Sequence, residues 1–328
     1  MGSIPGIHQN VIVLDFKSLY PSIIRTFHVD PLALAVAAHE ENPIEGYDGG
    51  KFSREEFILP ELISTLWSAR DKAKASKNTA LSQAIKIIMN SFYGILGTVG
   101  CRFLDSRLVS SITKRGHEIL IQSKNFIEDA GYQVIYGDTD SVFVLLGSVP
   151  DDQVNVIGEG LTTQLNAWWT NRLREKYDIS SFLELEFETH FSKFLMPTVR
   201  GSDAGSKKRY AGLVVDNSNP KKSHLLFKGL ESVRSDWSPL AREFQKELYR
   251  RVFFGEPYED YIKLTVQQLT DGKYESELVL RKRLRRKLKD YIKNVPPHAQ
   301  AARKAEDIRR QLELPSLYQS GGWIEYIM

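Results

Sequence analysis

The stretch VIYGDTDSVFV, residues 134–144, decides how the rest of the chain is interpreted. Two runs of β-branched and aromatic residues flank a short turn that carries Asp138 and Asp140. This pattern predicts a β-hairpin that presents two acids at its tip. Because a hairpin tip is a poor place to hide negative charge, the two acids indicate a site for a divalent cation.

A matching acid lies far upstream, where the apolar run Val11 to Leu14 predicts a strand that ends at Asp15. Two strand ends that each carry an aspartate can converge on adjacent metal ions and support an in-line phosphoryl displacement. Taken alone, Asp15 also fits a turn or N-cap residue. The backbone amides that follow Asp15, where the chain bends into a helix, can cradle phosphate oxygens.

Tyr20 lies in this same segment, DFKSLYPS. If the amides bind a phosphate, its ring would lie beneath the sugar of the bound nucleotide. There it would clash with a 2′-hydroxyl, the group that distinguishes RNA precursors from DNA precursors. The alternative is a core tyrosine packed before Pro21.

Two antiparallel helices are predicted between residues 52 and 92. The first runs from Phe52 to about Lys77, the turn occupies residues 74–80 with Thr79 as N-cap, and the second helix runs from Ala80 to Phe92. Such a pair forms a projecting helical hairpin.

Three side chains of the second helix recur at helical spacing and share one face: Lys86, Asn90 and Tyr93. A cation, an amide and an aromatic ring on one face can hold a triphosphate and stack against a base. The alternative is a solvated face with one buried tyrosine. Arg70 and Lys74, one turn apart on the first helix, can add positive charge, although such pairs are usually solvated surface.

The remaining pattern favours an α+β fold, with strands from three distant regions around an acidic site. A strand is predicted at 9–16, the hairpin at 133–145, and helices at 105–130, closed by Gly131 as C-cap, and at 152–176. Further strands are predicted at 183–195, 207–214 and 224–229, and the chain is expected to be mostly helical from Pro239 onward.

Composition excludes several classes of protein. The chain has 328 residues, a net charge of +3 and 42% hydrophobic residues, which is ordinary for a soluble globular protein and does not by itself indicate nucleic-acid binding. No apolar run is long enough to span a bilayer, and the N-terminus lacks the pattern of a signal peptide. Cys101 is the only cysteine, so no intramolecular disulfide can form, which suits a reducing cytoplasm.

The strongest local charge is the run RKRLRRKLK at residues 281–289, with seven basic residues in nine. A solvated surface helix is one interpretation. The density of charge favours the other, a polyanion partner or acidic neighbours, and each phosphate neutralised on duplex DNA would add roughly 0.9 to the salt slope of binding.

Four motifs together resemble the family B DNA polymerases. They are DFKSLYPSII at 15–24, KIIMNSFYG at 86–94, YGDTDS at 136–141 and KKRYAG at 207–212, in the order and near the spacing of that family. The segment Arg25 to Phe27 and the helix LPELISTLWSARDKAK at 59–74 point to the bacterial members.

The resemblance implies a role for each motif residue. Asp15 and Asp140 would bind two Mg²⁺ ions, with Mn²⁺ as an alternative, together with the Phe16 carbonyl, while Asp138 would lie beside them. Lys86 would act as a catalytic residue at the leaving pyrophosphate, as charge neutraliser and proton donor. The other implied contacts are Ser18, Leu19, Tyr20, Arg70, Lys74 and Asn90 with the nucleotide, and Tyr93, Gly94, Lys207, Lys208, Arg209 and Tyr210 with DNA.

Glu186 and Glu188 in LELEFE share one strand face because side chains alternate along a strand. By resemblance they are accessory residues, and Glu188 would help to organise metal or water. A solvent-facing strand edge explains them equally well.

The resemblance also implies an architecture and partners. The palm would comprise residues 1–34 and 97–237, the fingers residues 35–96 and a partial thumb residues 238–328. Because only 14 residues precede Asp15, the sequence is expected to be an excised piece without the proofreading exonuclease. The expected partners are primer-template DNA and deoxynucleoside triphosphates, with a sliding clamp for the full-length enzyme only. A monomeric, bacterial, cytoplasmic and nucleoid-associated protein is expected.

Two rival functions stay open. One is a non-catalytic fragment that binds primer-template DNA. The other is an RNA-templated or RNA-synthesising palm enzyme, and Tyr20 argues against the synthesis of RNA.

Overall fold

The computed structural model describes residues 2–199, 201–215 and 223–327. The chain divides into two compact units, Met1–Lys207 and Lys208–Met328, built from helices and antiparallel strands. The strands are β1 (Gly6–Phe16), β2 (Ile44–Glu45), β3 (Lys51–Phe52), β4 (Gln133–Asp138), β5 (Ser141–Leu145), β6 (Leu185–Met196), β7 (Tyr210–Val214), β8 (His224–Lys228), β9 (Leu280–Arg283) and β10 (Trp323–Tyr326). The helices are α1 (Leu19–Phe27), α2 (Pro31–Val36), α3 (Leu59–Ala75), α4 (Thr79–Leu96), α5 (Ser106–Asp129), α6 (Asp151–Tyr177), α7 (Pro239–Phe254), α8 (Glu259–Thr270) and α9 (Pro297–Gln311).

In the first unit, four antiparallel strands lie in the order β4-β5-β1-β6. Strand β1 lies between β5 and β6, and its residues Val11 to Leu14 are buried on both faces. Side chains alternate along a strand, so a run without polar residues is what a doubly covered strand requires. The uninterrupted VIVL run in β1 therefore follows from its central place in this sheet.

Helices α5 and α6 contribute to the main hydrophobic core of this unit. The indole Nε1 of Trp169 on α6 donates to the Ser123 hydroxyl on α5 at 3.0 Å, and both residues are buried. Helix α5 ends with Ala130 as its C-cap, and Gly131 follows with a φ of +91°. Gly131 was predicted as the C-cap itself, so this boundary differs by one residue.

A buried guanidinium joins α5 to the small β2–β3 hairpin. Arg115 is buried and donates to Glu118 Oε2 at 2.6 Å, to the Tyr177 hydroxyl at 2.6 Å and to the Glu45 carbonyl at 2.8 Å. Its planar group also lies within 4.3–5.0 Å of the ring centroids of Phe27, Tyr47 and Tyr177. The charge is thus paired and surrounded by aromatic rings, which is the condition for burying it at tolerable cost.

The predicted helical hairpin is present as α3 and α4, with corrected boundaries. Phe52 lies in β3 and not in a helix, because the Ser53 hydroxyl accepts from the backbone amides of Glu55 and Glu56 and holds a turn there. Helix α3 begins only at Leu59, with Pro60 in its first turn, a position that tolerates the missing N–H.

The second helix of the hairpin also differs from the prediction at both ends. Asn78, not Thr79, is the N-cap of α4, and its side chain accepts from the Leu81 amide at 3.0 Å. The helix continues past Phe92 to Leu96, so Tyr93 and Gly94 lie inside it.

The second unit contains the β7–β8 hairpin, a small core around Leu284 and Ile324, and helices α7 to α9. Gly229 has a φ of +60°, and a Cβ at this position would overlap the Lys208 carbonyl oxygen. Only glycine allows the backbone to approach so closely.

The basic run at 281–289 does not form the surface helix considered from the sequence. Its first residues form β9, which pairs with β10 in the register Lys282 opposite Ile324. The run therefore presents its charges from a short strand and the loop after it. In the part of the chain that the structure describes, no helix has the length and apolar character needed to cross a membrane.

Candidate active site

Strand pairing brings Asp15 and Asp140 to the same end of the sheet. Asp15 lies opposite Ser141 in the β1–β5 ladder, directly beside Asp140 in the two-residue turn between β4 and β5. The Phe16 amide donates to the Asp140 carbonyl at 2.8 Å. Two acids 125 positions apart in the sequence are thus held together by backbone hydrogen bonds.

A row of side chains crosses the sheet at this end. Asp138 lies opposite Ser141, Ser141 opposite Asp15, and Asp15 opposite Glu186. Cross-strand partners point to the same face of a sheet. Three carboxylates and a hydroxyl therefore lie in one row across this end of the sheet, with Asp140 at the turn beside them. We call this row, together with Asp140, the acidic edge.

The electrostatics reflect this crowding. Burial raises the pKa of Asp15 to about 7, with Asp140, Glu188 and Glu186 adding to the effect and Lys86 opposing it. Burial also raises the pKa of Asp140, followed by the repulsion of Asp138 and Glu188. Carboxylates forced together in a partly desolvated site are unfavourable without a compensating cation.

Glu186 and Glu188 differ in their surroundings. Glu186 forms an ion pair with Lys17, which also pairs with Glu184. The register of β6 against β1 shifts between Val13 and Leu14, so Glu188 is the extra residue of a β-bulge. Bulges change the direction of a side chain beside functional sites, and the Glu188 charge acts on both aspartates.

Lys17 was not singled out in the sequence, although it follows the strand-end acid. The sequence feature that could have pointed to Lys17 is the alternation of Glu184 and Glu186 in a predicted strand, because these are the two acids with which it pairs.

The segment after Asp15 turns sharply into α1. Ser18 has a left-handed backbone (φ 47°, ψ 59°), and its side chain makes no capping hydrogen bond. The Tyr20 ring lies against Tyr93 of α4 with 4.7 Å between the centroids. Burial raises the pKa of Tyr20, with smaller contributions from Tyr93 and Asp140. Tyr20 thus packs against the helical hairpin.

Among the predicted residues of the helical hairpin, Lys86 acts electrostatically on both aspartates. Lys86, exposed on α4, lowers the pKa of both aspartates against the other effects. Within the described residues, Arg70, Lys74 and Asn90 make no hydrogen bond or ion pair with Asp15 or Asp140. Arg70 is half-buried, and its Nε has no hydrogen-bond partner in this part of the chain.

The KKRYAG motif contributes exposed cations and one paired arginine. Lys207 and Lys208 are exposed, and Tyr210 begins β7. Arg209 forms an ion pair with Glu231, so part of its charge is already neutralised within the second unit.

The donor set of this site is a pair of aspartates, which is enough for a hard divalent ion. No group of three or more His, Cys, Asp or Glu side chains in the described ranges is arranged as a metal-ligand cluster. Hard cations such as Mg²⁺ typically take one or two carboxylates and fill the remaining positions with water and substrate phosphates. Two aspartates with raised pKa values satisfy that requirement, because a cation removes their mutual repulsion.

Comparison with known proteins places the chain among DNA polymerases. The family model for DNA polymerase family B matches residues 3–328. DNA polymerase II of Escherichia coli (strain K12) is 52% identical over 331 aligned residues, covering 100% of this chain and 42% of the E. coli protein. This confirms the expected likeness to a bacterial member.

More distant relatives agree. The DNA polymerase of Thermococcus gorgonarius is 29% identical over 91% of this chain and 38% of its own length. The DNA polymerase alpha catalytic subunit of Sterkiella nova is 27% identical over 92% of this chain and 22% of its own length. The chain spans less than half the length of each of these relatives. With a family model matched from residue 3 to residue 328, the chain belongs to DNA polymerase family B.

Proposed function

We propose that the chain catalyses template-directed addition of deoxynucleotides to a primer 3′-hydroxyl. The observation that carries this proposal is the convergence of Asp15 and Asp140, which the hydrogen bond from the Phe16 amide to the Asp140 carbonyl holds together. The same neighbouring charges, Glu188 and Lys86, act on the pKa of both aspartates. Family membership and the likeness to DNA polymerase II support the same activity.

The proposed metal ligands are Asp15, Asp140 and the Phe16 carbonyl, with Asp138 beside them. Mg²⁺ is the expected ion, and Mn²⁺ is an alternative. When bound, a pair of such ions lowers the pKa of the primer hydroxyl and stabilises charge on the attacking and leaving oxygens. The negative charge of Glu188, the bulge residue, raises the pKa of both aspartates. Lys17 forms an ion pair with Glu186 and so offsets part of the repulsion between Glu186 and Asp15.

The nucleotide would lie between the acidic edge and α4. The amides after Asp15, at Ser18 and Leu19, are proposed to bind triphosphate oxygens at the start of α1. Tyr20 would lie under the sugar and exclude a 2′-hydroxyl. Lys86 would neutralise the leaving pyrophosphate and donate a proton to it. Arg70, Lys74 and Asn90 complete the proposed phosphate and base contacts from the helical hairpin.

We assign residues 1–34 and 97–237 to the palm, 35–96 to the fingers and 238–328 to part of the thumb. The helical hairpin α3–α4 falls within the proposed fingers. Tyr93, Gly94 and the segment Lys207 to Tyr210 are proposed to contact primer-template DNA.

A primer-extension assay with Mg²⁺ tests the proposal. Asp15→Ala and Asp140→Ala are each expected to abolish extension and to leave far-ultraviolet circular dichroism and duplex binding intact. Asp203→Ala, at an exposed aspartate of the same unit, serves as the matched control and is expected to extend normally. Normal extension by either acidic-site variant contradicts the metal assignment. Salt-dependent DNA binding by the unaltered chain, with no incorporation at all, would replace the proposal with that of a non-catalytic DNA-binding fragment.

A further inference from the structure

Gly116 on α5 packs directly against side chains of α1. A Cβ built at Gly116 would lie 3.3 Å from Tyr20 Cε1, 3.5 Å from Ile23 Cδ1 and 3.6 Å from Leu19 Cδ2. The first distance is shorter than an ordinary van der Waals contact. The missing side chain therefore provides the space that the edge of the Tyr20 ring occupies.

The helix itself does not need glycine at this position. Gly116 lies in the middle of α5 and does not have a positive φ. Glycine in a helix interior is less stable than alanine. Because backbone conformation does not require it, close packing against the side chains of α1 is the physical reason for glycine here.

The Tyr20 ring is bounded on two sides. Gly116 lies at one edge, and Tyr93 lies across from the ring at 4.7 Å between centroids. The ring is only half-buried. A Cβ at position 116 therefore pushes the edge of this ring away from α5.

We propose that Gly116 is a positioning residue that sets sugar selectivity by fixing how far the Tyr20 ring projects toward the nucleotide. This inference rests on the proposed role of Tyr20 beneath the sugar. A Cβ at position 116 shifts the ring by a few tenths of an ångström into the space of the sugar. Crowding of this size in a packed contact corresponds to about three- to tenfold weaker nucleotide binding.

The test compares the binding of deoxy- and ribonucleoside triphosphates to the full chain on a dideoxy-terminated primer-template, with Ca²⁺ in place of Mg²⁺. For Gly116→Ala, we expect the Kd for the deoxynucleotide to rise about three- to tenfold, and the ratio of ribo- to deoxynucleotide Kd to increase further. Binding ratios compare two nucleotides on the same folded molecules, so a smaller folded fraction does not imitate the effect.

A double-mutant cycle with Tyr20 separates positioning from general damage. In the Tyr20→Ala background Gly116→Ala is expected to change neither Kd, whereas in Tyr20→Phe, which keeps the ring, it is expected to act as in the unaltered chain. Gly160→Ala is the matched control, because Gly160 is also helical and a Cβ there meets nothing within 4 Å. It is expected to leave both Kd values unchanged.

The outcomes are distinguishable. Suppose that Tyr20→Ala abolishes discrimination between ribo- and deoxynucleotides. If Gly116→Ala then changes neither Kd, or changes them equally in the Tyr20→Ala background, the inference about Gly116 is wrong and the role of Tyr20 stands. If Tyr20→Ala leaves discrimination unchanged, both fail. Should Gly116→Ala not fold, the double variant with Tyr20→Ala is expected to fold, since the clashing ring is gone. A double variant that also fails to fold overturns the inference.

Discussion

Replacing Asp15 with asparagine is expected to stabilise the metal-free protein at pH 8. Burial, aided by the neighbouring acids, raises the pKa of Asp15 from 3.8 to about 7 in the folded state. Between these two values the folded protein holds a proton that the unfolded chain has released. The free energy of unfolding therefore falls as pH rises from about 4 to about 7, and the loss is complete above pH 7.

The magnitude follows from the size of the shift. About three pKa units at about 1.4 kcal/mol each would be about 4 kcal/mol for a fully buried group. Asp15 is only partly buried, and solvent screening reduces this to about 2 kcal/mol. For a unit of about 200 residues, 2 kcal/mol corresponds to a rise in melting temperature of about 4–8 °C. Asparagine has nearly the same shape as aspartate, so the change removes charge and little packing.

Differential scanning calorimetry in chelator between pH 8 and pH 5 measures the effect. The stabilisation by Asp15→Asn is expected to shrink by more than half at pH 5, and Asp203→Asn is expected to show no such dependence. Mg²⁺ is expected to stabilise the unaltered protein more than the variant, because a ligand stabilises only the state that binds it. A variant that melts below the unaltered protein at pH 8 would refute the reasoning.

Three further changes test other parts of the molecule. Arg115→Met is expected to lower the free energy of unfolding by about 3 kcal/mol in urea denaturation, because it removes the three hydrogen bonds of a buried guanidinium, to Glu118, Tyr177 and the Glu45 carbonyl. Exposed Lys114→Met should cost less than about 1 kcal/mol, and equal losses would contradict the importance of burial. Lys86→Ala is expected to slow single-nucleotide incorporation about 10²-fold or more, as for the loss of a general acid, and to leave DNA affinity unchanged. An unchanged rate would show that Lys86 takes no part in the reaction. Arg286→Ala with Lys287→Ala, at exposed positions after β9, is expected to lower the salt slope of duplex binding by roughly 0.9 for each phosphate that is no longer neutralised, and an unchanged slope places the basic run away from DNA.

Sequence patterns predicted best the elements whose conformation is determined by their own residues. Strand β1, the β4–β5 hairpin and helices α5 and α6 lie within a few residues of their predicted ranges. Each has a strong apolar period or an unmistakable turn, so local preference and tertiary packing agree. The juxtaposition of Asp15 with Asp140 was inferred because both acids end strands, and the β1–β5 register places them together.

Elements decided by side-chain hydrogen bonds were predicted less well. The start of α3 was misplaced because Ser53 forms a turn that apolar periodicity does not reveal, and the α4 cap was assigned one residue late. The basic run became a strand because Ile324, from a segment expected to be helical, supplies its partner and its apolar contact. The bulge at Glu188 depends on the register between two strands and has no local signal.

The position of β1 between two late strands has a consequence for synthesis on the ribosome. Val13 pairs with Phe143 and Thr189, which are translated long after it. At about 5–20 residues per second, roughly 9–35 s separate the emergence of Val13 from that of its second partner. Throughout this interval a strongly apolar strand has an unpaired edge on one or both sides. Nascent chains halted before residue 189 are therefore the species most exposed to aggregation, and the acidic centre exists only once nearly the whole first unit has been made.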